Sequence, residues 1–196
     1  MLRTSVADPS RSCDRTAILR ASSRVTSTPV TPPIDFVLSQ LPPPPRRVLE
    51  VGCGEGELAR ALAAAGHDVV AIDPEAPRGR IFRRTTLEAF AEPEPFDAVV
   101  ASRSLHHVHD LGGALDKLLR LLAGPLILNE FAWDRRKPMT REWAEEHEGL
   151  HGYGVMRAEL DARFEERFFE WRPYLVDGEE VPGLGFRYVG VARKPS

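Results

Sequence analysis

Residues 47–74 constrain the fold of this chain more than any other stretch. They begin with a short apolar run at 48–51, which is typical of a parallel strand buried on both faces. A glycine-rich turn follows at 52–56, and apolar residues then recur at helical spacing over 58–65. A second apolar run at 69–72 ends the unit. The stretch therefore predicts strand, turn, helix and strand, with a right-handed crossover that places both strands in one parallel sheet.

The residues around the glycine turn indicate what kind of ligand it binds. Asp73 lies about 20 positions after the first glycine, where a carboxylate accepts hydrogen bonds from ribose hydroxyls. The turn reads G-x-G-x-G, and Glu57 stands where the dinucleotide pattern has its third glycine. Glu50, Glu55 and Glu57 repel a pyrophosphate but tolerate a ligand with adenosine at one end and cations at the other. S-adenosylmethionine, with its sulfonium and ammonium groups, is such a ligand.

Three segments together carry a resemblance to a known family. VLEVGCGEGELA followed by VVAIDP resembles the first two motifs of the class I S-adenosylmethionine-dependent methyltransferases. FDAVVASRSLHHVHDL is similar to their fourth strand and the loop after it, and LLAGPLILNEF to their fifth strand. The resemblance covers residues 46–133. It implies an α/β fold, a Rossmann-like doubly wound sheet of seven strands in the order 3-2-1-4-5-7-6, with strand 7 antiparallel.

The resemblance also implies which residues contact S-adenosylmethionine. In the family, the glycine turn and the end of the second strand contact the cofactor. The exit of the third strand contacts the adenine, and the residues after the fourth strand flank the sulfonium. Carried onto this chain, the cofactor-binding residues are Glu50, Gly52, Cys53, Gly54, Gly56, Asp73, Pro74, Thr86, Leu87, Ser102 and Leu105.

Two residues are candidates for catalysis of methyl transfer by in-line displacement. The sulfonium is already activated, so the protein mainly positions the reactants, and a general base is needed only if the acceptor arrives protonated. His106 follows the fourth strand and has a reference pKa near neutral pH, and Glu130 follows the fifth strand, where we expect it to face the acceptor. Packing or loop capping remains the alternative role for His106, and an ion pair with an arginine of the basic run at 135–137 remains the alternative for Glu130.

Two histidine patterns invite a metal interpretation, which we do not adopt. His106, His107 and His109 do not have the spacing of a tetrahedral site. Residues 147–151 match the H-E-x-x-H zinc protease pattern, but glycines weaken that helix and a third ligand is not evident. We therefore predict no metal site.

The rest of the chain completes the expected elements. We predict a helix over 34–41, a third strand within 81–90, a fourth at 96–101, a helix over 111–122 and a fifth strand at 125–128. The short segment EAPRGR replaces the helix that the family has between strands 2 and 3. Residues 139–164 should be mostly helical. Strands are expected at 163–175 and 186–192, with a polar link between them.

Five residues are candidates for the acceptor pocket, with core packing as the alternative for the aromatic ones: Trp143, His147, His151, Tyr153 and Met156.

The composition and charge of the chain limit the partners that it can bind and the cell compartment in which we expect it. The formal net charge is −3, so the chain lacks the excess of positive charge that is typical of nucleic-acid-binding proteins. An apolar run long enough to cross a bilayer is absent from the sequence. We therefore expect a small organic acceptor, no nucleic acid, no membrane, and a monomer or homodimer. Cys13 and Cys53 form no disulfide framework, which favours the cytoplasm.

The domain prediction is a disordered leader at 1–33, rich in Ser, Thr, Arg and Pro, and a single methyltransferase domain at 34–196. The basic cluster of Arg78, Arg80, Arg83 and Arg84 could bind a phosphate or nucleic acid, but we expect a solvated surface, because no aromatic residues interleave to stack on bases. The alternative function is a protein on the same fold that binds S-adenosylmethionine without methylating, or that is catalytically silent.

Overall fold

The computed structural model describes residues 34–135, 145, 149–176 and 179–194. The predicted leader at 1–33, the candidates Trp143 and His147, and part of the H-E-x-x-H match lie outside these residues. The strands are β1 Arg47–Val51, β2 Asp68–Asp73, β3 Phe82–Arg84, β4 Ala98–Ser102, β5 Pro125–Phe131, β6 Phe164–Val176 and β7 Glu179–Ala192. The α-helices are α1 Ile34–Gln40, α2 Glu57–Ala64, α3 Leu111–Leu121 and α4 Tyr153–Arg163, and short 3₁₀ turns span Leu105–His107 and Trp133–Arg135.

The strands form one seven-stranded sheet in the order β3-β2-β1-β4-β5-β7-β6. Strands β1 to β5 pair in parallel, and β7 pairs antiparallel with both β5 and β6. This confirms the predicted order and the orientation of strand 7. Because the chain reverses its winding direction between β1 and β4, the carboxyl ends of these two strands flank the crevice where ligands bind in such sheets.

Successive residues of the central strands enter two different cores. Val48 packs with α1 and α2 on one face of the sheet, whereas Leu49 packs with α3 and α4 on the other. Both side chains are fully buried. The short apolar run in the sequence is therefore a strand covered on both faces, which is the condition for a doubly wound parallel sheet.

The connection from β2 to β3 is short, as the sequence predicts. Residues 74–81 contain turns but no helix. The first strand residue after this loop, Phe82, places its ring against the glycine turn, and a Cβ at Gly56 would lie 2.4 Å from that ring. Gly56 also has φ +77, so a side chain is excluded there both by space and by conformation.

The last hairpin is longer than predicted. The polar segment expected as a link between residues 176 and 186 belongs largely to β7, which begins at Glu179 and pairs with the end of β6. Leu184 is buried against Phe131, and Tyr174 and Val181 pack on the same small cluster. These apolar contacts stabilise the part of the hairpin that extends beyond the main sheet. The sequence did not predict them, because the segment is rich in polar residues.

Only part of the helix predicted over 139–164 falls within the described residues. Residues 153–163 form α4, which buries Met156 and Leu160. Among the helices that the structure describes, none combines the length and apolarity needed to span a membrane.

Candidate functional site

A cavity of roughly 1220 Å³ opens at the carboxyl ends of β1, β2 and β4. Every predicted cofactor-binding residue except Leu105 lines it. His106 lines it as well, but Glu130 does not. The cavity has the size of a small-molecule site and lies at the switch point of the sheet.

The glycine turn forms the floor of this cavity. Gly52 has φ +71, and a Cβ there would lie 2.2 Å from the Cβ of Ser104. Gly54 has φ +48, and apart from its two chain neighbours no described residue has an atom within 4 Å of the position of its missing Cβ, so the backbone there borders open space. A ligand can therefore approach the main chain at Gly54 without meeting a side chain.

Asp73 ends β2 and holds the glycine turn in place. Its Oδ2 accepts a hydrogen bond from the Gly54 N–H at 3.1 Å, and its Oδ1 accepts one from the Glu75 N–H at 2.8 Å. Each carboxylate oxygen has a second lone pair, so both can still accept from ligand hydroxyls. Pro74 follows on the cavity wall.

Glu50 is a buried carboxylic acid on the same wall. Its exposure is 3%, and its Oε2 has no hydrogen-bond partner among the described residues. Burial raises the pKa of Glu50 to about 8, and the negative charge of Asp73 adds to the rise, while the Ala59 N–H opposes it. A cation that enters the cavity would therefore lower the pKa of Glu50 and favour its carboxylate form.

This burial predicts how Glu50 affects stability. Between pH 4.5 and about 8 the folded protein keeps a proton on Glu50 that the unfolded chain has lost, so stability falls as pH rises through that range. In the ligand-free protein, Glu50→Gln should therefore have a higher free energy of unfolding than wild type. The difference between the variant and wild type should be about 2–4 kcal/mol larger at pH 8.5 than at pH 5. Urea unfolding at the two pH values measures this difference.

The exposed Glu55 on the same turn supplies the control for that measurement. Glu55→Gln makes the same chemical substitution at an exposed position, without removing a buried carboxyl group. Equal pH dependence in Glu50→Gln and wild type would contradict the raised pKa.

Three other predicted cofactor residues line the cavity in different ways. Leu87 contributes a buried apolar side chain, whereas Thr86 is exposed and its Oγ1 accepts from the Ala89 N–H at 3.3 Å. Burial raises the pKa of the Cys53 thiol to about 12, so it stays neutral at physiological pH. Cys53 therefore contributes packing surface and no thiolate to the cavity.

The loop after β4 forms the opposite wall. Ser102 and Ser104 line the cavity, and the Ser104 hydroxyl donates to the Val51 carbonyl at 2.8 Å, which ties the two walls together. Leu105 departs from its predicted place. Its side chain is fully buried in the core on the α3 side, and its N–H points to Glu130.

His106 and Glu130 form a buried pair. The Nδ1 atom of His106 lies 2.7 Å from Oε2 of Glu130, and the exposures of the two residues are 5% and 1%. The other carboxylate oxygen accepts from the N–H groups of Ser104 and Leu105 at 2.9 and 2.8 Å. A carboxylate on Nδ1 favours the tautomer with the proton on that atom, which leaves Nε2 as an acceptor.

This geometry corrects the expectation for Glu130. We expected its side chain to face the acceptor, but it is buried behind the loop and does not line the cavity. All the hydrogen bonds that the structure gives its carboxylate hold the loop or His106. The Glu130 carboxylate therefore holds the loop and the His106 ring in place, and His106 is the member of the pair that reaches the cavity.

The acceptor-pocket candidates that the structure describes, His151, Tyr153 and Met156, do not line the cavity. Met156 is fully buried in the core, and Tyr153 packs on Phe186 and Trp171. His151 instead supports the loop, because its N–H donates to the His106 carbonyl at 3.0 Å and its Nε2 lies 2.8 Å from the Val108 carbonyl.

Tyr174 was missed in the sequence. It lies on β6, at the far end of the sheet order, yet it lines the cavity. Its ring stacks on Phe131 with centroids 4.2 Å apart. The only available signal was the alternation of apolar residues in the last hairpin, which does not reveal that the hairpin reaches the cavity.

Groups of three or more His, Cys, Asp or Glu side chains arranged to hold a metal ion are absent from the described part of the chain. The H-E-x-x-H match is not tested by this observation, because His147 and Glu148 lie outside that part.

Comparison with known proteins decides the family. A model of a methyltransferase domain family matches residues 28–171, which is more than half of the chain. The chain belongs to this methyltransferase family. The matched region includes the glycine turn, Asp73 and the His106–Glu130 pair, and thus all the described residues that line the cavity except Tyr174.

Curated relatives match a shorter region. A ubiquinone biosynthesis O-methyltransferase of Hahella chejuensis is 41% identical over 92 residues, which are 39% of this chain and 39% of the relative. A protein of the same name from Xylella fastidiosa is 33% identical over 104 residues, covering 45% of this chain and 42% of that protein. The chain thus spans about two-fifths of the length of these relatives.

Solved structures share the fold at low sequence identity. An S-adenosylmethionine-dependent methyltransferase from Mesorhizobium loti superposes with a TM-score of 0.61 at 17% identity, over 80% of this chain and 95% of that one. The N-methyltransferase NodS from Bradyrhizobium japonicum, solved with S-adenosyl-L-homocysteine, gives a TM-score of 0.57 at 18% identity over 76% of this chain and 80% of NodS. These likenesses establish the Rossmann-like methyltransferase fold.

Proposed function

We propose that the protein transfers a methyl group from S-adenosylmethionine to a hydroxyl of a small organic acceptor. Glu50 carries this proposal, because it is a buried carboxylic acid with an oxygen lacking a partner among the described residues and it lines the glycine-turn cavity. Such a group is satisfied by a cationic ligand with N–H donors, such as the ammonium of S-adenosylmethionine. Residues 34–196 act as one methyltransferase domain in this proposal.

The cavity offers partners for each part of the cofactor. Glu50 would accept from the ammonium, the open backbone at Gly54 would border the methionine part, and Asp73 would accept from ribose hydroxyls. Thr86 and Leu87 would contact the adenine. When bound, S-adenosylmethionine would supply an electrophilic methyl group, whose carbon would bond to the acceptor oxygen as S-adenosylhomocysteine leaves in line.

His106 is the general base of the proposal. With Nδ1 held by Glu130, its Nε2 accepts the proton of the acceptor hydroxyl and so makes the oxygen nucleophilic. The names of the relatives in Hahella chejuensis and Xylella fastidiosa, both O-methyltransferases, support oxygen as the atom methylated.

Asp73 allows a direct test of cofactor binding. Asp73→Asn should weaken the binding of S-adenosylhomocysteine by about 1–3 kcal/mol, because an amide keeps one acceptor oxygen where the carboxylate has two and its NH₂ group faces a loop N–H. Isothermal titration calorimetry measures the effect. Asp68→Asn at the exposed start of β2 is the matched control, and equal affinity in both variants would remove Asp73 from the site.

The reaction itself is tested by product release. Purified protein is incubated with S-adenosylmethionine and a panel of phenols, catechols, amines and thiols, and S-adenosylhomocysteine and methylated products are identified by mass spectrometry. We expect turnover with hydroxyl acceptors. Tight binding of S-adenosylmethionine without turnover across the panel would favour the alternative of a catalytically silent binding protein on the same fold.

The setting of the protein is also part of the proposal. We place it in the cytoplasm, as a monomer or homodimer that acts without nucleic acid or membrane. The reduced, buried Cys53 and the absence of a net positive charge support this setting.

A further inference from the structure

Acidic and basic side chains occupy different halves of the cavity. Among the described lining residues, the half built from β1 to β3 and their following loops carries all the carboxylates: Glu50, Glu55, Glu57, Asp73, Glu75 and Glu88. The other half comes from β4 onward and has no carboxylate among its described residues. It carries Arg103, which is the one arginine or lysine that the described lining includes, and three histidines.

The order of the strands sets these halves apart in space. Asp73 lies on β2, on one side of β1, whereas Arg103 follows β4 and Tyr174 lies on β6, both on the other side. In the proposed function the cofactor occupies the acidic half with its cationic end near Glu50. The acceptor is then left with the half that contains Arg103, His106 and Tyr174.

Arg103 contributes little to holding the fold. Its N–H donates to the Asn129 carbonyl at 2.8 Å, but its exposed side chain makes no ion pair or hydrogen bond within the described residues. Its backbone has φ +53, a left-handed conformation that non-glycine residues rarely adopt and that recurs at ligand sites. An unpaired guanidinium on the wall of a cavity is a donor group suited to a carboxylate or phosphate.

We infer that the methyl acceptor is an anion, and that Arg103 binds its negatively charged group while His106 receives the proton of its hydroxyl. This inference rests on the proposed function and adds the substrate class to it. Arg103 then determines specificity, because neutral acceptors would leave the guanidinium without a partner and gain nothing from the basic half of the cavity.

Binding of a matched pair of probes tests the inference. The probes are 3,4-dihydroxybenzoate and 3,4-dihydroxybenzamide, which present the same catechol with and without a negative charge. Their affinities are measured by calorimetry on the full chain saturated with S-adenosylhomocysteine. We expect wild type to bind the carboxylate about tenfold more tightly than the amide, as a charge-assisted pair with arginine should give.

Arg103→Gly should abolish that preference. Glycine suits the positive φ, so the variant removes the guanidinium without straining the backbone. Arg78→Ala is the control, because Arg78 is exposed and does not line the cavity. It should keep the wild-type preference.

The outcomes separate this inference from the proposed function. Preference for the carboxylate that depends on Arg103 supports the inference even if neither probe is methylated, because the proposed function is decided separately by turnover across the acceptor panel. Equal binding of the two probes, no binding of the carboxylate at millimolar concentration, or a preference that survives Arg103→Gly overturns it. Methylation of the amide as fast as the carboxylate would leave the proposed function standing and also overturn the inference.

Discussion

Replacing His106 with asparagine should lower kcat for methyl transfer at neutral pH by about 10²–10⁴-fold, the usual contribution of a positioned general base. Asparagine can still donate to Glu130, so the buried carboxylate keeps a partner in place of the Nδ1 contact at 2.7 Å. The variant lacks a nitrogen lone pair toward the cavity and cannot take a proton from the acceptor.

The same variant contains its own controls. The affinity for S-adenosylhomocysteine should not change, because His106 is not among the groups proposed to hold it, which are Glu50, Gly54, Asp73, Thr86 and Leu87. The deficit in kcat should shrink as the pH approaches about 10, where a phenolic hydroxyl ionises without help. A kcat close to that of wild type at neutral pH would contradict a base role for His106. His106 would then only line the cavity.

Replacing Glu130 with glutamine should reduce kcat by a similar factor, about 10²–10⁴, although Glu130 does not line the cavity. The amide oxygen can accept the N–H groups of Ser104 and Leu105, and its NH₂ group then faces Nδ1 of His106. Nδ1 must become the acceptor, which moves the ring proton to Nε2. His106 then presents an N–H to the acceptor hydroxyl and cannot remove its proton.

Nitrogen NMR of the His106 ring distinguishes this positioning role from a purely structural one. The spectrum should report a proton on Nδ1 in wild type and on Nε2 in Glu130→Gln, while urea unfolding shows that the variant is folded. Glu165→Gln, on an exposed strand position, is the matched control and should keep wild-type kcat. A folded Glu130→Gln protein with full activity would show that the tautomer of His106 is irrelevant to catalysis.

The behaviour of Glu130 illustrates where prediction from the sequence ends. Its place at the end of β5 was predictable, because an apolar run ending in polar residues marks a strand terminus near the ligand crevice. Its orientation was not, because that depends on the loop after β4. This loop folds over the carboxylate and presents the N–H groups of Ser104 and Leu105 together with the ring of His106.

Tyr174 illustrates the same limit at longer range. It reaches the cavity because the last hairpin continues past the main sheet and packs on Phe131. The segment that contains Glu179 and Glu180 has the polarity of a loop, so local propensity favoured a link there. The apolar contacts of Leu184 and Val181 override that preference.

The strand order followed from the resemblance to the methyltransferase family. The sequence by itself determined the glycine turn and the strand–helix–strand unit of residues 47–74. These features depend on backbone conformation and on hydrophobic period, which neighbouring residues set. Tertiary structure alone decided that Glu130 supports His106, that Leu105 faces the core, and that Arg103 and Tyr174 share one half of the cavity. Those relations join residues that are far apart in the chain, and they come from packing and from the need to pair buried polar groups.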